Sequence, residues 1–409
     1  MLTPLDLRGA LAPSSGGDWR SMLPRPEAAK ERPVAAVQAI LADVRARGDA
    51  AVRECTERFD GVRVGDLRVP PADLDAALRA VPAALRDALE LARDNILAFH
   101  QAKLRQEGRH ERDGVVVREL RRPVERAGLC VPGSQAPLPS TVLMTAVPAR
   151  VAGVAEVVLC SPPGRDGQVA TEVLAAAALA DVDEVYRVGG AQAVAAMAYG
   201  TETVRPVDVI VGPGNVYVVT AQREVAAEGR VGVPSSLAGP SEVVVVADQA
   251  TPVEAAAIDL IVQVEHGPDS VAWLITWSEE VAEAVGDEVS RLAARSPRRE
   301  VIEANLAANS RTVLVDGPED ALEVANAIAP EHLELMTADP DALVPLVRNA
   351  GAVFCGPYAP ASVGDYVAGP SHVLPTYGSA RFAEALGVDD FVRSVHVISV
   401  DERALARLA

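Results

Sequence analysis

Aromatic residues are scarce in this sequence. They make up 3% of the 409 residues, whereas hydrophobic residues as a whole make up 49%. Alanine and valine dominate the apolar share, so we expect a core of small aliphatic side chains. This much apolar surface excludes a mainly disordered chain, because burying it offsets the entropy that ordering costs. The length suggests two or three domains.

Cysteine is also rare, and its spacing excludes two common uses. Cys55, Cys130, Cys160 and Cys355 lie far apart and form no CxxC pair. This pattern argues against a disulfide framework and against a zinc knuckle. It fits a reducing compartment, so we expect a cytoplasmic protein.

Long apolar runs and a surplus of basic residues are missing as well. No segment reaches the roughly 18 apolar residues of a membrane span. The N-terminal sequence MLTPLDLRGA lacks a basic region followed by an apolar core, so we expect no signal peptide. With 38 basic and 57 acidic residues, the formal net charge is −19. This charge argues against nucleic acid and anionic membranes as partners.

The chain does have a repeated alternation of short apolar runs and alanine-rich segments. A first series predicts strands at 154–160, 184–188 and 207–211, with helices at 170–180 and 191–199. A second series predicts strands at 242–247, 271–277, 311–315 and 352–354, with helices at 252–265, 279–294 and 320–328. This alternation is typical of parallel sheets covered by helices on both faces.

The predicted fold class is therefore α/β, with two doubly wound, incomplete Rossmann-like units, the second inserted in the first. A helical N-terminal segment belongs to the larger unit, and the C-terminal tail is short. The predicted parts are an N-terminal arm at 1–25, a larger discontinuous domain at 26–130 plus 241–387, an inserted domain at 131–240, and a shortened tail at 388–409.

Three of the six histidines lie in unusual local contexts, and the first is His266. Gln263 and His266 are three residues apart at the end of a predicted helix. Residues at this spacing share one helix face, so both side chains can converge on a metal ion. The alternative is a histidine that caps the helix C-terminus, where the helix dipole favours imidazolium.

The second context is the Glu331–His332 pair, which directly follows Pro330. Proline is common at the first position of a helix, so Pro330 predicts a new helix with both residues in its first turn. The positive end of the helix dipole disfavours imidazolium and predicts a neutral histidine that can act as a base. The alternative is a first-turn glutamate beside an exposed histidine.

The third context is the segment 364–372, which has little periodicity and several turn residues. Asp365 can be an oxygen ligand of a metal. His372 can be a metal ligand or a hydrogen-bond partner of a substrate. Polar loops that follow strands commonly carry the sites of α/β proteins. The alternative is simple turn chemistry.

Two glycine loops, Gly189–Gly190 and Gly212–Pro213–Gly214, each follow a predicted strand. Their backbone N–H groups can hold an anion such as a pyrophosphate. Neither loop matches GxGxxG, so the spacing alone indicates a nucleotide only weakly. Ser241 enters another strand and can donate to a ligand. It lacks the GxSxG spacing of a nucleophile.

Several separate strings resemble those of the histidinol dehydrogenase family, and they span most of the chain. They are PSTVLM at 139–144, GGAQ at 189–192, YGT at 199–201, GPGN at 212–215, AGPSE at 238–242, EHGPD at 265–269, APEHL at 329–333, GDY at 364–366 and HVLPT at 372–376. Their number and order make chance agreement implausible.

The resemblance implies an enzyme that oxidises L-histidinol to L-histidine in two NAD-dependent steps, on a homodimer with one zinc ion per site. The implied residues are the zinc ligands Gln263, His266 and Asp365, the acid/base pair Glu331 and His332, the substrate contacts Ser241 and His372, and the NAD contacts Gln192 and Asn215. The zinc ligands and His332 are also expected to contact the small-molecule substrate.

The sequence departs from the family pattern at several positions. Cys130 stands where the family usually has a tyrosine that lies against NAD, so Cys130 is a further expected cofactor contact. Ser134 replaces a glycine and Ser371 an asparagine. Family members continue after the region of Phe391 into a helical tail, with a histidine that binds zinc across the dimer and a substrate-binding glutamate. No such string follows Phe391 here.

These departures leave two alternatives open beside oxidation of histidinol. One is a paralogue that oxidises another small polar alcohol. The other is a catalytically silent binding protein that has kept the fold. The Glu331–His332 pair and the three candidate ligands argue against a silent protein.

Overall fold

A computed structural model describes residues 2–12, 18–23, 33–133, 136–234, 239, 241–267 and 270–409 of the chain. In chain order, the strands are β1 (Thr3–Asp6), β2 (Gly108–Arg112), β3 (Val115–Pro123), β4 (Arg126–Cys130), β5 (Glu156–Ser161), β6 (Glu184–Arg187), β7 (Val209–Val211), β8 (Glu242–Ala247), β9 (Val271–Thr276), β10 (Arg311–Leu314), β11 (His332–Met336), β12 (Ala352–Cys355) and β13 (Val392–Val400). The α-helices are α1 (Val34–Arg47), α2 (Asp49–Asp60), α3 (Pro71–Ala80), α4 (Ala83–Ala102), α5 (Pro139–Ala152), α6 (Thr171–Leu179), α7 (Gly190–Tyr199), α8 (Val216–Ala227), α9 (Val253–Val264), α10 (Glu279–Ala293), α11 (Arg299–Ala308), α12 (Pro318–Ile328), α13 (Pro340–Leu343), α14 (Ala361–Tyr366) and α15 (Glu402–Leu408). Short 3-10 helices lie at Trp19–Met22, Val344–Leu346, Ser379–Arg381 and Val388–Phe391.

The described helices include none that is both long and apolar enough to span a lipid bilayer. Of the predicted N-terminal arm, residues 1, 13–17, 24 and 25 lie outside the described residues, and so does Ser134. The arm contributes a strand, because β1 pairs in parallel with β10.

The chain forms two compact units. The first unit comprises residues 1–31, 237–365 and 374–385, and the second comprises 32–236, 366–373 and 386–409. This grouping differs from the predicted boundaries, which joined 26–130 to 241–387. Strand pairing gives the physical reason, since β4 pairs with β5 on one side and with β7 on the other. The helices α1 to α4 pack into the hydrophobic clusters of the same sheet, so residues 32–130 belong with the unit predicted as the insertion.

Among the described residues, the first unit contains a six-stranded parallel sheet with the strand order β1-β10-β9-β8-β11-β12. Runs of β-branched residues, such as the four valines of β8, fit strands that are buried on both faces. Val244 and Val246 pack into one hydrophobic cluster with α12, whereas Val243 and Val245 pack into another with α9 and α10. The helices therefore cover both faces of this sheet.

The second unit contains a four-stranded parallel sheet with the order β6-β5-β4-β7, again among the described residues. Leu129 faces a hydrophobic cluster built with α3 to α6, and Cys130 faces one built with α1, α7 and α8. Both sheets are thus parallel and covered on both faces. The predicted α/β class is confirmed.

The second unit also contains an antiparallel sheet with the order β13-β3-β2. The sequence predicted a strand only at 115–120, inside β3. Its partner β13 comes from the predicted tail, and Val392 pairs with Pro123. His396 lies on β13 opposite Glu119.

Candidate active site

A buried histidine and glutamate lie side by side where β11 begins. Glu331 precedes the strand, and His332 is its first residue, paired with Val243 of β8 and Ala352 of β12. The prediction that Pro330 opens a helix is wrong at this point. The two neighbouring strands extend the backbone here, and this tertiary pairing overrides the local helix signal.

Both nitrogens of the His332 ring have partners. Nδ1 lies 3.2 Å from the carbonyl oxygen of Glu242. Nε2 lies 3.2 Å from Oδ1 of Asp365. A carbonyl oxygen only accepts hydrogen bonds, so Nδ1 carries a proton and donates it. The ring is therefore held with Nε2 directed towards Asp365.

The charge state of His332 differs from the expectation of a neutral ring. Burial by itself lowers the pKa of His332, but the charge of Glu331 and the hydrogen bond with Asp365 outweigh it. The pKa of His332 is consequently well above its ordinary value. The cause lies in the strand position, which places the ring between two carboxylates and away from a helix N-terminus.

The Glu331 carboxylate links three other elements of the site. Its Oε2 accepts a hydrogen bond from the backbone N–H of Glu242 at 2.9 Å. The same oxygen lies 3.5 Å from Nε2 of Gln263 and 3.5 Å from Nδ1 of His332. Glu331 is 9% exposed, so these partners replace most of its contact with water.

Glu242 is a site residue that the sequence reasoning missed. Its Oε1 accepts a hydrogen bond from the backbone N–H of Tyr377 at 3.2 Å, and its Oε2 is buried without a hydrogen-bond partner among the described residues. Burial, and then the charge of Glu331, raise the pKa of Glu242 to about 8. The sequence signal that could have identified it is a glutamate at the first position of a strand otherwise made of valine and alanine.

Asp365 lies on the short helix α14, in a segment that the sequence predicted as a loop. Its side chain is 24% exposed and reaches His332. Ser241 directly precedes β8, where its carbonyl oxygen accepts a hydrogen bond from Val271 N–H at 2.9 Å. The first unit thus brings residues from three separate segments to the beginning of β11.

The prediction that Gln263 and His266 share one helix face is wrong, because α9 ends at Val264. Gln263 is buried at the last turn and points to Glu331. His266 is exposed and lies beyond the helix, with Nδ1 2.8 Å from the carbonyl oxygen of Val262. Nδ1 therefore donates to Val262, and Nε2 is the nitrogen that can bind a cation.

The predicted zinc ligands can be tested by the chemistry of their donor atoms. Gln263, His266 and Asp365 offer an amide oxygen, an imidazole nitrogen and a carboxylate oxygen, which suit a divalent cation such as zinc. Within the described part of the chain, no three His, Cys, Asp or Glu side chains cluster closely enough to hold a metal ion. The predicted set contains only two such side chains, so its fit depends on the amide of Gln263.

The second unit contains a cavity of about 420 Å³ at the carboxyl ends of its parallel strands. All three predicted cofactor contacts, Cys130, Gln192 and Asn215, are among its lining residues. This edge of an open parallel sheet is where α/β proteins bind ligands. Both predicted glycine loops contribute to the same cavity.

Two helices begin at this cavity. Asn215 caps α8, where its Oδ1 accepts hydrogen bonds from Tyr217 N–H at 3.0 Å and Val218 N–H at 3.2 Å. Gly189 caps α7 without a side-chain hydrogen bond. The first N–H groups of α7 are therefore free of a capping side chain, and together with the helix dipole they favour an anion.

Gly212 packs against the backbone of Cys130, which lines this cavity. Gly212 has a φ of +105°, and a Cβ there would lie 2.3 Å from the carbonyl oxygen of Cys130, so a larger residue does not fit. Burial raises the pKa of the Cys130 thiol to about 12. Cys130 is therefore neutral and forms an unreactive wall of the cavity.

His372, the second predicted substrate contact, lies in the second unit. Its Nε2 is 3.2 Å from Oγ1 of Thr141 on α5. Ser371, which stands in place of the family's asparagine, is buried, and its hydroxyl donates to the carbonyl oxygen of Met144 at 3.3 Å. These contacts fix the segment before His372 against α5.

Comparison with known proteins agrees with the sequence resemblance. A family model described as histidinol dehydrogenase matches residues 23–409. The chain is 50% identical over 373 residues to the histidinol dehydrogenase of Parasynechococcus marenigrum (strain WH8102), covering 90% of this chain and 84% of that relative. It is 47% identical over 364 residues to that of Pseudomonas aeruginosa, covering 88% and 82%. The crystal structure of histidinol dehydrogenase from Elizabethkingia anophelis superposes with a TM-score of 0.93 at 32% identity, covering 100% of this chain and 92% of that one.

The fold, the buried Glu–His pair and these relatives define an oxidoreductase of the α/β class. The family model spans nearly the whole chain, and the relatives match it over most of their own length. The chain belongs to the histidinol dehydrogenase family. The predicted family and enzyme class are confirmed.

Proposed function

We propose that the chain oxidises L-histidinol to L-histidine, a step of histidine biosynthesis, with NAD and zinc as cofactors and through an aldehyde that stays bound. The observation that carries the proposal is the cluster at the beginning of β11, where Glu331 and His332 meet Gln263 and Asp365. Family membership supports the substrate. Two NAD molecules, bound one after the other, would each accept one hydride, and bound zinc would orient the nitrogen groups of the substrate.

In this proposal, His332 and Glu331 handle the protons. Once the proton on Nε2 has left, the neutral ring of His332 can take the hydroxyl proton of the alcohol at Nε2, because Nδ1 keeps its own proton on the carbonyl oxygen of Glu242. The carbon loses hydride in the same step and becomes an aldehyde. Glu331 then takes a proton from the water that adds to the aldehyde, and the hydrate loses a second hydride to give the carboxylate.

The family resemblance also implies which residues would bind zinc, the substrate and NAD. Gln263, His266 and Asp365 would hold zinc, and Ser241 and His372 would contact the substrate. Cys130, Gln192 and Asn215 would line the NAD site, for which the 420 Å³ cavity is the support. We also propose a cytoplasmic homodimer, as the family resemblance implies.

Two histidine variants test the proposed roles. His332→Asn should lower kcat for L-histidinol by about 100-fold to 10,000-fold, the usual contribution of a general base, with zinc content unchanged. The measurements are the formation of reduced NAD with added zinc and metal analysis of the purified protein. His266→Asn is the matched control, and it should lose zinc. Loss of zinc in His332→Asn would contradict the assignment.

The second candidate is a paralogue that acts on a different small polar alcohol. Cys130, in place of the family's tyrosine, and the buried Ser371 favour this candidate. Turnover of another alcohol, with none of L-histidinol under the same conditions, would decide for the paralogue.

A further inference from the structure

Two buried carboxyl groups lie beside the candidate site, and the proposed reaction does not use them. Asp259 on α9 is 7% exposed, and Glu334 on β11 is 1% exposed. Burial raises the pKa of both groups, and the nearby charge of Asp259 raises the pKa of Glu334 further. A raised pKa favours the neutral form of a buried carboxyl group.

The two carboxyl groups belong to a row of polar residues between α9 and β11. On α9, Asp259 and Gln263 are four residues apart and lie on one helix face. On β11, His332 and Glu334 are two residues apart and lie on one face of the strand. Gln263 Nε2 lies 3.5 Å from Glu331 Oε2 at the beginning of β11, and the charge of Asp259 acts on Glu334 further along the strand.

Glu334 also contacts the helix that carries Asp365. Its Oε1 accepts a hydrogen bond from the backbone N–H of Ala361 at 3.0 Å, and this bond is buried. Ala361 is the first residue of α14, and Asp365 follows one turn later. An isolated helix of six residues is unstable, so contacts of this kind hold it in place.

We propose that Glu334 is a positioning residue, which anchors the first turn of α14 and thereby holds Asp365 against Nε2 of His332. The inference rests on the proposed function, in which Asp365 binds zinc and His332 takes the substrate proton. It assigns Glu334 no contact with the substrate.

Three variants test this role. Glu334→Gln keeps an oxygen for Ala361 N–H and supplies an N–H group to Asp259. Glu334→Ala removes the acceptor. Ala361→Pro removes the donor and leaves Glu334 in place, and proline is tolerated at the first position of a helix. Glu334→Ala and Ala361→Pro remove the same hydrogen bond from its acceptor and its donor side. If one of these variants fails to fold, the other still tests the role.

Amide hydrogen exchange of residues 361–366 in the zinc-free protein is the first readout. Glu334→Ala and Ala361→Pro should accelerate exchange of this segment, and Glu334→Gln should leave it as in the parent protein.

Zinc affinity and turnover are the second and third readouts. Zinc affinity should fall by about 10-fold to 100-fold in the two disrupting variants, the usual cost of losing an outer partner of a ligand. kcat should fall by about 100-fold, and the glutamine variant should restore both.

Asp49→Ala is the control for general destabilisation. Asp49 is also a buried carboxyl group, but it lies in the second unit, where its Oδ1 accepts from the hydroxyl of Thr201 at 2.6 Å. This variant should lower the melting temperature with zinc affinity and exchange at 361–366 unchanged.

Two results would overturn the inference. One is Glu334→Ala with parent-like exchange at 361–366. The other is Glu334→Gln with the same losses as Glu334→Ala. A protein that does not oxidise L-histidinol would contradict the proposed function, whereas the exchange measurement would still decide the role of Glu334.

Discussion

At the scale of single residues, Glu242 shows how the fold sets a protonation state. The backbone of this residue serves the site, since its N–H donates to Glu331 and its carbonyl oxygen accepts from His332. The carboxyl group itself is buried, with a pKa of about 8. An unfolded chain has an ordinary carboxyl pKa at this position. The folded protein therefore holds a proton that the unfolded chain releases.

Glu242→Gln should remove this dependence on pH. The stabilisation from the protonated Glu242 is fully present below the unfolded pKa and is lost as pH rises through the folded pKa of about 8. Within that window the loss is about 1.4 kcal/mol per pH unit. The free energy of unfolding of the variant, minus that of the parent, should therefore increase between about pH 5 and about pH 9.

Urea unfolding at several pH values measures this difference. Glu319→Gln is the control, because Glu319 is an exposed glutamate on α12, and its variant should follow the parent profile. A constant difference between Glu242→Gln and the parent at every pH would show that the buried carboxyl is not the cause.

At the scale of elements, the beginnings of α7 and α8 define the candidate NAD cavity. Asn215 has two tasks there, since it caps α8 and lines the cavity. Aspartate can cap a helix as well as asparagine, but its charge repels a pyrophosphate. Substitutions at this position can therefore separate the stability of the helix from cofactor binding.

Asn215→Asp should retain the stability of the parent and raise KM for NAD by about 10-fold, since like charges near a binding site cost roughly 1 kcal/mol or more. Asn215→Ala should lose about 1 kcal/mol of unfolding free energy, the usual cost of removing an N-cap. Thermal unfolding and initial rates at varied NAD concentration measure the two effects. Unchanged KM in the aspartate variant would remove Asn215 from the NAD site.

The elements also show how far the sequence could predict this molecule. Strands such as β8 and helices such as α10 were predicted within a residue or two, because runs buried on both faces and amphipathic runs carry local signals. β2 was missed because all five of its residues are exposed, so it has no buried face to give an alternating pattern. β13 was missed because its partner β3 lies far from it in sequence. Pairing over such a distance leaves no local pattern.

The site was predicted more completely in its residues than in its geometry. Family strings gave Glu331, His332 and Asp365, and the structure brings them together. The local signal of Pro330 predicted a helix, but the neighbouring strands impose a strand. Glu242 was missed because its raised pKa depends on burial and on Glu331, which no local string records.

At the scale of the whole molecule, each unit has its own hydrophobic clusters and one candidate ligand site. The NAD cavity belongs to the second unit. The proposed zinc ligands belong to the first unit. A ligand that binds only the folded state stabilises the region that binds it.

Hydrogen exchange with each ligand alone should therefore give two separate patterns. NAD should slow exchange at 189–192 and 212–218, and zinc should slow it at 259–266 and 361–366. At ligand concentrations of about 100 times Kd, the stabilisation is about 2.7 kcal/mol, so exchange through opening of the site should slow by about 100-fold. Zinc protection confined to 189–192 and 212–218 would refute the proposed ligand set.

The pairing of β1 and β13 has a consequence for biosynthesis. Thr3 pairs with Arg311, so β1 leaves the ribosome long before its partner strand does. β3 likewise emerges long before its partner β13, which contains Val392 to Val400. Neither sheet can be completed during translation of the first 300 residues, and the unpaired edges of the nascent chain invite aggregation. Efficient production of this protein should therefore depend on chaperones that shield those edges until the partner strands emerge.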